Sequence, residues 1–130
     1  MDVLSSRILL RPTDLARSHR FYRDELGLAV MREFGEGEHP GLVFFLGNGL
    51  LEVSGSGGPG SREGLALWIQ VRDVRAEITR LVVLGHAIIR PPEVEPWGLV
   101  EAWIADPDGV PIVLVQIPDD HPLRRDQRSI

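Results

Sequence analysis

DLARSHRFYRDELGL, residues 14–28, reads as a helix with a marked start and a marked stop. Thr13-Asp14 offers an N-cap, since a short polar side chain can accept from the free amides of the first turn. Leu15, His19, Tyr22 and Leu26 follow at i, i+4, i+7 and i+11, which is one stripe of a helix. Gly27 is the expected C-terminal glycine. A second stretch repeats the design. Asp73 caps, Val74, Ile78, Leu81 and Val82 share a face over 74–84, and Gly85 ends the helix.

Working outward from each helix gives the same order of strands. In the first half the pattern predicts strands over 3–12, 28–34, 42–46 and 50–53. Gly47-Asn48-Gly49 joins the last two as a hairpin. In the second half it predicts strands over 65–71, 86–90, 99–105 and 111–117. Pro91–Pro96 reads as a loop and Asp106-Pro107-Asp108-Gly109 as a turn. Equivalent landmarks sit about 58 residues apart: Asp14 and Asp73, Gly27 and Gly85, Gly41 and Gly98. The chain is therefore a βαβββ unit written twice, and neither unit is large enough to stand well alone. The fold class is α+β: two mixed four-stranded sheets curved into a cup, with helices outside. Module one covers about 3–54, a Gly/Ser linker 55–63, module two about 64–118 and a polar tail 119–130.

Composition narrows the function. The chain has 130 residues, no cysteine, no lysine, fourteen arginines and four histidines, with a formal net charge of −5 and a pI near 5.3. Without cysteine there is no disulfide scaffold, thiolate metal site or cysteine nucleophile. Without lysine there is no Schiff-base chemistry on a lysine amine. The acidic balance argues against a nucleic-acid binder held by phosphate contacts. The glycine-rich run SGSGGPGS over 54–61 lacks the lysine a phosphate loop needs. No apolar run approaches the roughly 20 residues of a membrane span, and Met1–Arg11 lacks a signal-peptide h-region. A cytoplasmic protein with no membrane partner is the expectation.

The residues at 14–28, with Asp-Leu followed by Ser, Phe-Tyr and a Leu-Gly turn, resemble the first helix of the vicinal oxygen chelate superfamily. This superfamily groups glyoxalase I, bleomycin resistance proteins and extradiol dioxygenases. Asp106-Pro107-Asp108-Gly109-Val110-Pro111-Ile112 is similar to the family's closing hairpin. The likeness spans about residues 5–118. It implies a divalent metal in some members, held by four strand positions that fall here on Arg7, Glu52, Ala66 and Val113. Alanine and valine carry no donor, and arginine stays protonated and cannot coordinate a cation. Glu52 is the one credible ligand among them, and a single carboxylate does not hold a divalent ion. His19, His39, His86 and His121 lie elsewhere and read as solvated or capping groups. No metal and no cofactor are expected.

Strand parity places Arg7, Leu9, Arg11, Leu50, Glu52, Ser54 and Phe45 on the cup side of module one. It places Ala66, Trp68, Gln70, Glu101, Trp103, Val113 and Val115 on the cup side of module two. Trp97 sits in the loop before the seventh strand. The apolar and aromatic lining with a few charges is the composition of an organic-ligand pocket, and flat indoles can stack on planar ligands. The tryptophans could equally fill an interface between modules or subunits. Arg7 and Glu52 are expected to form an ion pair where a metal would otherwise sit. The pair reads first as structural, with Arg7 binding an anionic ligand group as the alternative. Tyr22 falls in the core, Asp106 and Asp108 belong to the turn, and Glu93 and Glu95 read as solvated.

The resulting expectation is a small-molecule-binding protein, similar to the bleomycin resistance proteins. It would sequester an antibiotic or aromatic metabolite without metal and most simply as a homodimer. The first alternative is a divergent lyase, isomerase or dioxygenase-like enzyme built around Glu52 with Glu101 as base. The second is a non-catalytic association domain. Because Arg7, Ala66 and Val113 occupy three of the four ligand positions, the balance favours a protein without catalysis. Whether modules pair within a chain or across a dimer stays open, as does the identity of the ligand.

Overall fold

The computed structural model describes residues 1–38, 40–57 and 64–122. It divides into two units: Met1–Glu63 with Asp106–Asp108, and Gly64–Ala105 with Gly109–Ile130. His39, most of the Gly/Ser linker (58–63) and the end of the polar tail (123–130) lie outside the described residues.

Unit one is an open four-stranded sheet in the order β1-β4-β3-β2. Its strands are β1 (Ile8–Leu10), β2 (Val30–Phe34), β3 (Gly41–Leu46) and β4 (Gly49–Val53). β1 runs parallel to β4, and the other pairs are antiparallel. The expected first strand was longer, but the ladder to β4 takes in only three residues. Gly47, at φ 58°, supplies the left-handed residue of the tight β3–β4 hairpin.

The helix of unit one corrects the sequence reading in one respect. Asp14 caps it as expected, its carboxylate accepting from the Arg17 amide at 3.1 Å. Leu15–His19 is α-helical (α1), but Arg20–Glu25 opens into a π-helical turn. There the Leu26 amide reaches the Phe21 carbonyl at 2.8 Å. Because the wider turn departs from the 3.6-residue period, both Phe21 and Tyr22 are buried rather than Tyr22 alone. Tyr22 packs edge-on against Phe21 and reaches the Phe44 ring. Phe44 thus marks the helix-facing side of the sheet, which it shares with its cross-strand partner Leu51. By alternation, Glu52 points to the opposite, helix-distal side.

Unit two has the order β5-β8-β7-β6. It comprises β5 (Leu67–Gln70), β6 (Arg90–Val94), β7 (Val100–Ala105), β8 (Pro111–Gln116) and a helix α2 (Val74–Val83). Asp73 caps α2 through the Ala76 amide at 3.0 Å. Val74, Ile78 and Leu81 are its buried side, which packs on β6, β7 and β8. The expected strand over 86–90 and loop over 91–96 are overturned. The strand begins at Arg90 and contains Pro91 and Pro92. Two prolines in a strand argue against it only when the strand is central. β6 is an edge strand, and its pairing with β7 shifts register between Arg90 and Glu93, where prolines are tolerated.

A candidate ligand-binding face

On the helix-distal side of unit one, Leu9 and Glu52 are paired across the parallel β1–β4 ladder. Arg7 and Arg11 lie two residues to either side of Leu9, so the period of two directs both side chains to the same face. Both converge on Glu52. Arg7 Nη1 donates to Oε1 at 2.9 Å and Arg11 Nη1 to Oε2 at 3.1 Å. Ser54, two residues beyond Glu52, donates its hydroxyl to Oε2 at 2.6 Å, and Arg11 Nη1 also lies 2.7 Å from Ser54 Oγ. The hydrogen bond from Ser54 and then those from Arg7 and Arg11 hold the Glu52 carboxyl below its ordinary pKa, against the opposing effect of burial.

The expected Arg7–Glu52 pair is present, but it is one side of a four-residue cluster. Strand parity places Arg11 and Ser54 on this face without revealing that both bond Glu52. A divalent cation does not fit these residues. Of the two family ligand positions in unit one, Arg7 repels a cation, and both oxygens of Glu52 already accept from guanidinium groups. Ala66 and Val113 in unit two have no donor atom. Among the described residues no three His, Asp or Glu side chains gather as a metal site.

The rest of this face is apolar and cationic. Leu9 and Phe45 are each about half exposed, at 52% and 50%. The row through Leu9 and Glu52 continues to Val43 on β3 and Arg32 on β2. The Arg32 guanidinium stands 5.8 Å from the centre of the Phe34 ring. Phe34 lies over Gly41 so closely that a Cβ there would come within 2.5 Å of the ring.

In unit two, one cross-strand row holds Trp68, Val113, Trp103 and Arg90, and the next holds Gln70, Val115, Glu101 and, across the irregular edge, Glu93. Val113 and Val115 are buried with Leu99 and Ile117, and Trp103 packs against them. The cluster contains none of α2's buried residues, so these side chains occupy the face away from the helix. Val113 is thus covered, whereas Trp68 is half exposed and Ala66 and Gln70 are exposed. Trp97, also exposed, donates its indole N–H to Glu101 Oε2 at 2.7 Å. Glu101, the candidate base, is buried and held by that indole.

Glu95 and His19 depart from the expectation of solvated groups. Glu93 is exposed, but Glu95 is buried and paired with Arg90. His19 is buried, and its Nε2 donates to the Val53 carbonyl at 2.8 Å. His121 Nε2 donates to the Trp97 carbonyl at 2.8 Å. His86 is half buried. Tyr22 is in the core as expected, and its hydroxyl donates to Asp106 Oδ2 at 2.7 Å.

Two helix-backed mixed sheets, each ordered 1-4-3-2 within its own unit, define a duplicated βαβββ protein. A family model described as Glyoxalase/Bleomycin resistance protein/Dioxygenase superfamily matches residues 5–114, and the chain belongs to that family. Among solved structures it is similar to TnmS3, an antibiotic binding protein from Streptomyces sp. CB03234, at 22% identity and a TM-score of 0.74, with 90% of this chain and 98% of that one covered. TioX from Micromonospora sp. ML1 matches at 20% identity and 0.74, covering 86% and 97%. Lactoylglutathione lyase from Agrobacterium tumefaciens matches at 19% and 0.65, covering 89% and 94%. At these identities the likeness is one of fold, and the fold hosts both binding proteins and enzymes. Comparison with curated proteins finds no significant match.

Proposed function

We propose that this protein binds a small organic ligand with aromatic character, an antibiotic or a metabolite, and sequesters it without a metal and without chemistry. One observation carries the reading. Glu52, the only carboxylate at the family's ligand positions, is engaged on both oxygens by Arg7, Arg11 and Ser54. A carboxylate so neutralised is a poor metal ligand and a weak base, because binding a cation or a proton there would break charge-assisted hydrogen bonds. Unit one exposes the apolar Leu9 and Phe45 and unit two exposes Trp68 and Trp97, each unit by itself offering surface of the kind a planar molecule packs on. The likeness to an antibiotic binding protein is in keeping with this reading. The assembly proposed is a homodimer, as the family resemblance implies, and the proposed location is the cytoplasm.

Titrating the purified protein with planar aromatic antibiotics, followed by tryptophan fluorescence, tests it. Saturable quenching that is reduced in Trp68→Phe is the expected result, with no stoichiometric divalent ion found by elemental analysis. A stoichiometric ion lost on Glu52→Gln would overturn the reading, as would the absence of quenching by every planar compound tried.

A further inference from the structure

We propose that the ligand is an organic anion, its carboxylate or equivalent group seated on the Arg7 guanidinium. This rests on the binding-protein reading above and adds a chemical class to it.

The first argument is charge. The helix-distal face of unit one carries Arg7, Arg11 and Arg32. Within strands β1–β4 the acidic residues are Glu33 and Glu52. Glu33 pairs with Leu42 on the helix-facing side, so Glu52 alone opposes the arginines. Among the described side chains placed on this face, the cations Arg7, Arg11 and Arg32 outnumber the carboxylate Glu52, in a chain whose formal charge is −5. Arg32 contacts the Phe34 ring and has no carboxylate partner among the described residues. An excess of fixed positive charge on an otherwise acidic protein raises the local concentration of anions.

The second argument is donor accounting. Ser54 and Arg11 both serve Glu52 Oε2, and Arg7 contributes one N–H to Oε1. A guanidinium has five N–H donors in a planar fork, so most of the fork remains. The Arg7 side chain is 34% exposed, against 11% for Glu52. Arg7 thus exceeds what neutralising Glu52 requires, and its remaining edge matches a planar carboxylate bidentately. Because Glu52 anchors one end of the guanidinium, the side chain is pre-oriented and loses less freedom on binding.

The third argument is the setting. Leu9, half exposed, stands between Arg7 and Arg11 on β1, and Phe45 is half exposed two strands away. Cations beside exposed apolar side chains suit an aromatic acid better than inorganic phosphate, which would leave Leu9 and Phe45 in water.

The test compares 2-naphthoate with 2-naphthamide, which share a ring system and differ in charge, by calorimetric titration. Naphthoate should bind about tenfold or more tightly, the scale of one charge-assisted contact. Its affinity should fall as salt is raised while that of naphthamide stays level. Arg7→Gln should erase most of the naphthoate advantage over naphthamide, while Arg11 and Ser54 still hold Glu52. The wild-type salt series decides the matter even if that variant folds poorly. Equal affinity for the two probes overturns the inference but leaves the binding reading standing. So does a naphthoate advantage that survives in Arg7→Gln. Tighter binding of inorganic phosphate than of naphthoate overturns the organic class. If neither probe binds while planar antibiotics still quench tryptophan, the anion inference fails alone. If the antibiotics fail as well, the binding reading fails with it.

Discussion

Ser54 donates to Glu52 at 2.6 Å, a shorter contact than either arginine makes with the same carboxylate. The two residues are neighbours on one face along a single stretch of chain, so this contact is local in sequence, whereas the arginines reach the same carboxylate from the two ends of β1. Replacing Ser54 with Ala removes this donor and one polar neighbour of Arg11. Ser54→Ala should lower stability by about 1–3 kcal/mol, the usual cost of a hydrogen bond to a buried charged group. A shift in the urea midpoint with an unchanged slope would show it.

The same cluster sets a pH dependence. Its hydrogen bonds lower the Glu52 pKa in the folded protein, so the native state binds this proton less readily than the unfolded chain does. The stabilisation is therefore fully present above the ordinary glutamate value of about 4.3 and is lost as pH falls through the lower folded value. Wild type should lose more stability than Glu52→Gln between neutral pH and about pH 3, so that the two curves converge in acid. Parallel curves would contradict it.

Tyr22 is fully buried, and its hydroxyl is bonded to the buried Asp106. Tyr22→Phe keeps the ring contacts with Phe21 and Phe44 but withdraws a donor from a carboxylate. A loss of about 1–3 kcal/mol is expected, read from thermal or denaturant unfolding. Asp106→Asn should cost at least as much, because Asp106 Oδ1 also accepts from the Asp108 amide at 2.8 Å and the single amide oxygen can serve only one of the two donors.

Gly41 is required by space rather than by backbone angle. An added Cβ would lie 2.5 Å from the Phe34 ring and 2.9 Å from Ser54 Cβ. Gly41→Ala should cost about 1–3 kcal/mol by overpacking, and Phe34→Ala in the same chain should recover part of that loss.

Much of this was legible from residue order alone. Capping aspartates at 14 and 73 and stop glycines at 27 and 85 act through local chemistry, and the structure places them as read. Period-two parity correctly put Arg7, Arg11, Glu52 and Ser54 on one face. Three features depended on context that a single sequence does not display. The π-turn over 20–25 changes which side chains are buried without changing the apolar pattern. β6 is permitted its prolines only by its place at the sheet edge. Glu95 pairs with Arg90, a contact that residue order does not display because its pattern divides the two between a strand and a loop.

The prolines of β6 bear on self-association. An outer strand normally offers free amides to any extended chain that approaches, which is how sheets grow uncontrolled into aggregates. Two of the five β6 residues, Pro91 and Pro92, have no amide to offer, and the break in its pairing disturbs the regular spacing an incoming strand would need. Replacing this pair with Thr or Val would restore an amide to the outer edge, and strand pairing between molecules is expected to become easier there.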